Sequence, residues 1–336
     1  MSLAALRRLI LIGLMLAIGA ALATAHHVFL TMGNLMTILQ QGSLTGILAI
    51  GFTLVMITAG IDMSIGAVVA VTSMVAVNFL SYTKIPVLLF LPLSLFVGVV
   101  VGSLNGFFIT RFKLPEFIVT LAMRGILSGL ALMIAVRDST GFIQNVYIQD
   151  PTYLWFGGQA GPVYIVTIAF LVLAFFTQLF LKRTRAGTNI YATGANPAAA
   201  RLSGINTTRT IVGVYIFSGV CASLAAVFIS SQMMTAMPDL GIGTEMDVIA
   251  AVVIGGTPFT GGVGDVWGTV IGAVFLALLK NGITVLGISP WIQPIVVGGI
   301  IVLTVIADVW YKGLAEAAAE RGARRARDAA ADGAAA

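Results

Sequence analysis

The chain has 336 residues, 59% of them hydrophobic and only 9% charged, with a formal net charge of +5 and a mean hydropathy of +1.04. Soluble domains carry about 25% charged residues, so this composition excludes a water-soluble globule and indicates a polytopic membrane protein. A single cysteine, Cys221, excludes an intrachain disulfide framework, and its apolar surroundings read as those of a small buried hydrophobe.

The hydrophobic runs predict an all-α protein of about ten spans, near residues 9–25, 36–59, 63–80, 86–110, 117–136, 162–181, 211–233, 246–262, 266–286 and 289–311. Residues 1–311 form one transmembrane domain, and 312–336 an Ala/Arg-rich tail. The first run follows Arg7 and Arg8 and ends in "ALATAHH", which resembles a cleavable leader. Because all that follows is also membrane sequence, it is expected to be a retained anchor. His26 and His27 at its end are adjacent on a helix and so do not face one site, which argues against a shared metal.

The stretch "VMITAGIDMSIGAVVAV" (55–71) places a carboxylate inside membrane-grade sequence. Gly60, Asp62, Ser64 and Gly66 have the look of a helix stop followed at once by a helix start, with Asp62 or Ser64 capping the next helix. Irregular backbone at membrane depth is tolerated only against protein or a water-filled path. Asn105, Thr120, Asn281 and Gln293 are further polar side chains within or at the ends of spans. Each can line a pathway or bond a neighbouring helix. "ITAGIDMSIGAVVAV" (57–71) also aligns without gaps with "FTGGVGDVWGTVIGA" (259–273), pairing Gly60 with Gly262 and Gly66 with Gly268, which suggests an internal repeat.

Two connections are long. Residues 137–161 mix aromatic, polar and glycine residues and suit a small folded cap. Residues 182–210 contain "NPAAARLSGI": an Asn-Pro start, an alanine-rich turn, and Gly204 as a stop, hence a short helix between two spans. With the N-terminus inside, ten spans place Arg7, Arg8, Arg111, Lys113, Lys182, Arg183, Arg185, Arg201, Arg209, Lys312 and the four arginines of 321–327 in the cytoplasm. Only Lys84 and Arg137 lie outside. Both termini are therefore expected to be cytoplasmic. The pI of 9.6 reports this bias rather than nucleic-acid binding, since no basic helix is interleaved with base-stacking aromatics. The basic tail could touch anionic lipid headgroups.

Chemistry-bearing motifs are missing. No G-x-x-x-x-G-K-[ST], G-x-S-x-G or H-E-x-x-H occurs, and no His/Cys/carboxylate set has metal-ligand spacing. Nor is there the ladder of intramembrane acids of a proton-driven pump. The expectation is a transport protein with no catalytic residues, no metal, no cofactor and no energy source of its own.

Four segments carry a resemblance. "GIDMSIG" is similar to the G-I-D-L-S-V-G signature of the permease subunits of bacterial ABC importers for ribose, xylose, arabinose and galactose. "GSLNGFFITRFKLPEFIVTLAMRGI", "YATGANPAAARLSGI" and "DVIAAVVIGGTPFTGGVG" resemble further segments of that family, in family order, from about residue 40 to 275. The resemblance implies a subunit of the bacterial inner membrane that dimerises with a second copy or a paralogous permease. ABC ATPase subunits would bind the ATP below it, and an extracytoplasmic sugar-binding protein would deliver substrate above. The 182–210 loop becomes the coupling element, its match carried by Gly194, Asn196, Ala199, Ala200, Ser203, Gly204 and Ile205, with Arg201 and Arg209 available for ion pairs. The competing readings are a branched-chain amino-acid ABC permease, a secondary carrier working without an ATPase, and a membrane enzyme, the last disfavoured by the missing catalytic set.

Overall fold

The computed structural model describes residues 3–82, 87–137, 139–141, 143–144, 146–306 and 310; Lys84 and the 312–336 tail lie outside the described residues. Helices follow one another in the order α1 (Leu3–Ala25), α2 (Met32–Ile57), α3 (Ile65–Tyr82), α4 (Val87–Phe112), α5 (Glu116–Met133), α6 (Pro151–Leu154), α7 (Ile165–Arg183), α8 (Arg185–Ala195), α9 (Pro197–Leu202), α10 (Thr207–Met233), α11 (Thr244–Ile254) and α12 (Val266–Val285). An apolar helix over Pro290–Ile306, here α13, follows. Long apolar runs become helices because hydrocarbon offers no partner to backbone N–H and C=O groups, which must then pair within the segment. Polar side chains fix the starts: Thr31 accepts from Asn34 N, Asn206 from Arg209 N and Asp265 from Gly268 N.

Among the described residues seven helices, α1, α2, α4, α5, α7, α10 and α12, contain a stretch long and apolar enough to cross a membrane, while Ile65–Ala76 within α3 and α13 are shorter apolar helices. The expected span 246–262 needs correction. It is helical only as far as Ile254, in the 11 residues of α11. Gly255 and Gly256 stop it, Gly256 at φ 92°, and an irregular stretch runs on to Asp265. The 182–210 connection also differs from the single short helix expected, because α8 precedes α9.

Helix α10 is the central element, packed against α4, α2 and α3. Its approach to α4 is very close. Gly98, Gly102 and Gly106 present one face of α4 to Gly219, Tyr215 and Val212, with Val212 Cα only 2.7 Å from where a Gly106 Cβ would stand. Small residues every fourth position let two helix backbones meet and gain dispersion contact where lipid supplies no hydrophobic drive.

One end of the bundle carries a cap, in which β1 (Val146–Tyr147) pairs antiparallel with β4 (Thr235–Ala236) beyond α10, and β2 (Gln159–Ala160) with β3 (Val163–Tyr164) ahead of α7. The cap is tied to the end of α10. The Tyr153 hydroxyl lies 2.7 Å from Ser230 Oγ, Ser231 Oγ donates to Tyr153 O at 2.7 Å, and Gly157 N donates to Ser231 Oγ at 2.7 Å. Helices α8 and α9 occupy the opposite end.

Candidate functional site

After Thr58 the chain leaves α2 through Ala59, at φ 65°, and does not become helical again until Ile65. The 58–64 break is held by polar groups in a dry interior. Asp62 is 2% exposed. Its Oδ1 accepts from Ser64 N (3.0 Å) and Ser64 Oγ (2.6 Å), and its Oδ2 from Ser218 Oγ on α10 (2.9 Å). Ser64 Oγ in turn accepts from Asn105 Nδ2 on α4 at 2.9 Å. Thr120 Oγ1 on α5 accepts from Met63 N at 3.1 Å, and Tyr215 OH lies 3.3 Å from both Ile61 O and Glu116 Oε2.

Asp62 does not cap the second or third amide of α3. Ser64 O accepts the first intrahelical bond, from Val68 N, so Ser64 sits at the cap position and Asp62 fixes it from two residues before. Ser64's own hydroxyl is turned back to Asp62. Three of the four predicted break residues, Gly60, Asp62 and Ser64, thus lie in one joint with Asn105 and Thr120. Asn281 is elsewhere: at the cap end its amide exchanges bonds with Asn34 at 2.9 and 3.0 Å, clamping α12 to α2. Gln293 is also at that end, 3.3 Å from Thr284 Oγ1.

Gly66, in the first turn of α3, opens space for a pair that sequence reading missed. Glu245 of α11 is 1% exposed, meets Arg124 Nη1 of α5 at 2.7 Å, and accepts from Gly243 N at 2.9 Å. A Cβ on Gly66 would stand 2.7 Å from Glu245 Oε2. The signal was present, since a charge inside a span demands a partner, but Arg124 and Glu245 lie on different helices far apart in the chain. Removing one partner of a fully buried pair costs about 3–5 kcal/mol because the other is left uncompensated; here Glu245 is buried but the Arg124 side chain is 29% exposed, so the loss falls below that range and is larger when Arg124 is the one removed. Arg124→Leu and Glu245→Leu should each lower the thermal midpoint in detergent, and the double variant should recover part of the loss. Single variants as heat-resistant as the parent would show the pair to be dispensable.

The second break, residues 255–265, lies directly against the first. Gly262 N donates to Ile57 O at 2.8 Å, so the two segments that align as a repeat meet at their irregular stretches. Each break holds a carboxylate just ahead of a helix start. Asp265 accepts from Gly268 N (3.1 Å) and Gln178 Nε2 (2.7 Å) and pairs with Arg8 of α1.

Helix α8 rests on this joint. Tyr191 OH donates to Gly264 O at 2.8 Å, and burial, with the nearby Asp265 charge second, pushes its phenol up to about 12. Gly194 is buried with its Cα against Ile57 O, and a Cβ there would also stand 2.8 Å from Gly262 N. Helix α9 follows at once. Asn196 Oδ1 caps it by accepting from Ala198 N and Ala199 N, both at 3.0 Å, and Pro197 supplies the first turn. Gly204, at φ 82°, closes it: Gly204 N donates to Arg201 O and Ile205 N to Ala200 O, both at 3.0 Å. Ser203 Oγ bonds back to Ala199 O, and Arg201 Nε to Thr207 Oγ1.

The predicted coupling residues therefore divide. Gly194 and Ala200 face inward; Asn196, Ser203 and Gly204 shape the helix; Ala199, Arg201 and Arg209 face outward, with Ile205 half-buried. The most exposed apolar side chain there is Leu202, 91% exposed, which the sequence reading did not single out. Among the described residues no group of three or more His, Cys, Asp or Glu could hold a metal ion, and His26 and His27 stack on each other, 5.1 Å between ring centroids.

Residues 34–305 match the family described as "Branched-chain amino acid transport system / permease component". The chain is 38% identical over 301 residues to the ribose import permease protein RbsC of Escherichia coli K12, a match covering 88% of this chain and 91% of the relative. It is 36% identical over 281 residues to the protein of the same name from Bacillus subtilis 168 (83% and 86% covered), and 33% identical over 345 residues to the xylose transport system permease protein XylH of Escherichia coli K12 (85% and 87%). No solved structure gives a significant match.

Proposed function

The chain belongs to the family of branched-chain amino acid transport system / permease components, and from that premise we propose that it is the membrane-spanning subunit of an ATP-driven importer of a monosaccharide. The family description is broad, but relatives at 33–38% identity over most of their length are named for ribose, allose and xylose, which favours a sugar over an amino acid. The subunit is not itself an enzyme. With no P-loop in its sequence, ATP is bound and hydrolysed by separate ATPase subunits, two permease chains (copies or paralogues) assemble side by side, and an extracytoplasmic binding protein delivers sugar to the cap end. In the inner membrane the α8–α9 end, with Arg8, Arg111, Lys113, Lys182, Arg183, Arg185, Arg201 and Arg209, is cytoplasmic.

One observation carries the coupling mechanism. Helix α9 projects an exposed Leu202 into the cytoplasm, while Gly194, two residues ahead of its cap Asn196, is buried against both helix breaks and Ala195 lies against the second. A partner that grips α9 and changes shape would pull on Ile57 and Gly262 together, and through them on α2, α3 and α12. Packed joints transmit such shifts because they are rigid rather than compliant. Leu202→Asp places a charge where an apolar socket is required. The variant should insert and fold normally, yet lose co-purification of the ATPase and ATP-driven uptake of ribose, xylose or allose in proteoliposomes. Full uptake by this variant would remove α9 as the docking element. Uptake on an ion gradient with no ATPase would favour a secondary carrier.

A further inference from the structure

At the cap end, α2, α12 and α13, with Ile229 of α10 and Thr244 of α11, line an open cavity of about 360 Å³ in which polar side chains stand among apolar ones. It contains Gln41 and Thr45 of α2, Lys280 and Thr284 of α12, and Gln293 of α13, beside Leu44, Leu48 and Leu276. At roughly 1.5 Å per residue from Met32, Gln41 lies about 13 Å and Thr45 about 20 Å along α2, well below the helix mouth. Gln41 is exposed and Thr45 half-buried, yet neither side chain has a hydrogen-bond partner among the described residues. Of the other polar groups of the cavity, Thr244 Oγ1 donates to Gly241 O at 2.6 Å and Thr284 Oγ1 to Lys280 O at 3.1 Å, whereas Lys280 and Gln293 keep hydrogen-bonding capacity to spare. Lys280 Nζ meets Asp247 at 2.7 Å and retains further N–H donors, and Gln293 Nε2 is 3.3 Å from Thr284 Oγ1.

A free primary amide and a free hydroxyl at that depth are costly against acyl chains, and polar groups within spans mark water-filled paths. We infer that this cavity is the chain's outer waypoint for a polyhydroxyl ligand: Gln41 and Thr45 exchange hydrogen bonds with sugar hydroxyls, and the Lys280–Asp247 pair holds the rim. Amide, hydroxyl and ammonium groups match hydroxyls that are donor and acceptor at once. Among the described residues no aromatic face lines the cavity, so contact is polar and weak, as suits a site that must release its ligand inward. The volume lies at the small end of the usual ligand-pocket range of about 300–1,000 Å³, a size for one sugar ring with water.

This assignment rests on the sugar-importer reading, and its test separates the two. In proteoliposomes holding the permease with its ATPase and binding protein, uptake of radiolabelled ribose, xylose and allose by the parent tests the importer reading alone. For the sugar the parent imports, Gln41→Leu combined with Thr45→Val should lower uptake about tenfold, the scale of losing two ordinary hydrogen bonds. ATPase stimulation by loaded binding protein should be retained. Unchanged uptake overturns the site. Because a doubly altered α2 could also fail to assemble, Thr45→Cys in a Cys221→Ser background gives a second reading. A charged, membrane-impermeant thiol reagent should label it from outside, and the sugar with its binding protein should slow that labelling. An unreactive Thr45→Cys in a complex that still imports sugar means that the cavity is dry or lipid-filled, and the inference fails while the importer reading stands. Labelling that sugar does not slow overturns it equally.

Discussion

Gly194→Ala, the addition of one methyl group, is expected to abolish coupled transport. The added Cβ would overlap Ile57 O and stand 2.8 Å from Gly262 N, the two atoms that hydrogen-bond each other across the paired breaks. Neither is a side-chain end that can swing away. Both are backbone atoms, one at the end of α2 and the other held against Ala195. Overpacking of a tight core usually costs about 1–3 kcal/mol, and here relief requires the joint itself to open. The α8–α9 unit should detach from the breaks, so that ATP hydrolysis no longer moves them. Gly204→Ala is the matching control. Gly204 is also needed for its conformation, at φ 82°, but no atom lies within 4 Å of its would-be Cβ. Its penalty is the left-handed backbone alone, about 1–2 kcal/mol, and uptake should largely survive. The measurement is uptake together with basal and binding-protein-stimulated ATPase rates for both variants. Gly194→Ala with parental uptake would mean that α9 does not act through this joint.

The contrast between these glycines shows how far the sequence could be read. "NPAAARLSG" announces its cap, first turn and stop through residues whose local chemistry is the whole explanation, and α9 forms where those signals stand. Helix α8 is not legible in the same way. "RAGTNIYATGA" is poor in helix formers, and its helix is held by Ile190, Tyr191 and Gly194 packing onto segments far away in the chain. Span 246–262 misleads for the opposite reason. "DVIAAVVIGGTPFTGG" stays apolar through its own stop, so hydropathy runs over Gly255-Gly256 although the glycine pair and Pro258 are ordinary helix terminators. The candidate joint was visible as "GIDMSIG", but its partners Asn105 and Ser218 lie 41 and 156 residues from Ser64 and Asp62 respectively. The Arg124–Glu245 pair and the Gln41–Thr45 cavity are hidden likewise: single polar letters in apolar runs acquire meaning only when two helices face each other.

Asp62 decides whether the first break depends on geometry or on charge. Asp62→Leu removes the acceptor for three donors, Ser64 N, Ser64 Oγ and Ser218 Oγ, in a site that water does not reach. Each stranded buried donor costs about 1–3 kcal/mol, and with Ser64 released Asn105 on α4 loses a fixed partner. The break should lose its shape, and the variant should accumulate poorly and melt far below the parent. Asp62→Asn keeps one carbonyl oxygen in place of Oδ1, still able to accept from Ser64. Its new N–H₂ faces Ser218 Oγ, a hydroxyl that can turn and accept instead. This variant should fold, assemble with the ATPase and keep a substantial part of the uptake. Ser218→Ala, which withdraws one donor and leaves the others satisfied, should be milder still. The order of thermal midpoints, parent above Ser218→Ala, then Asp62→Asn, with Asp62→Leu far below, is the result that a hydrogen-bond hub requires. If Asp62→Asn instead falls as low as Asp62→Leu, the negative charge itself holds the break, and the joint must be understood through electrostatics rather than through the three donors that converge on it.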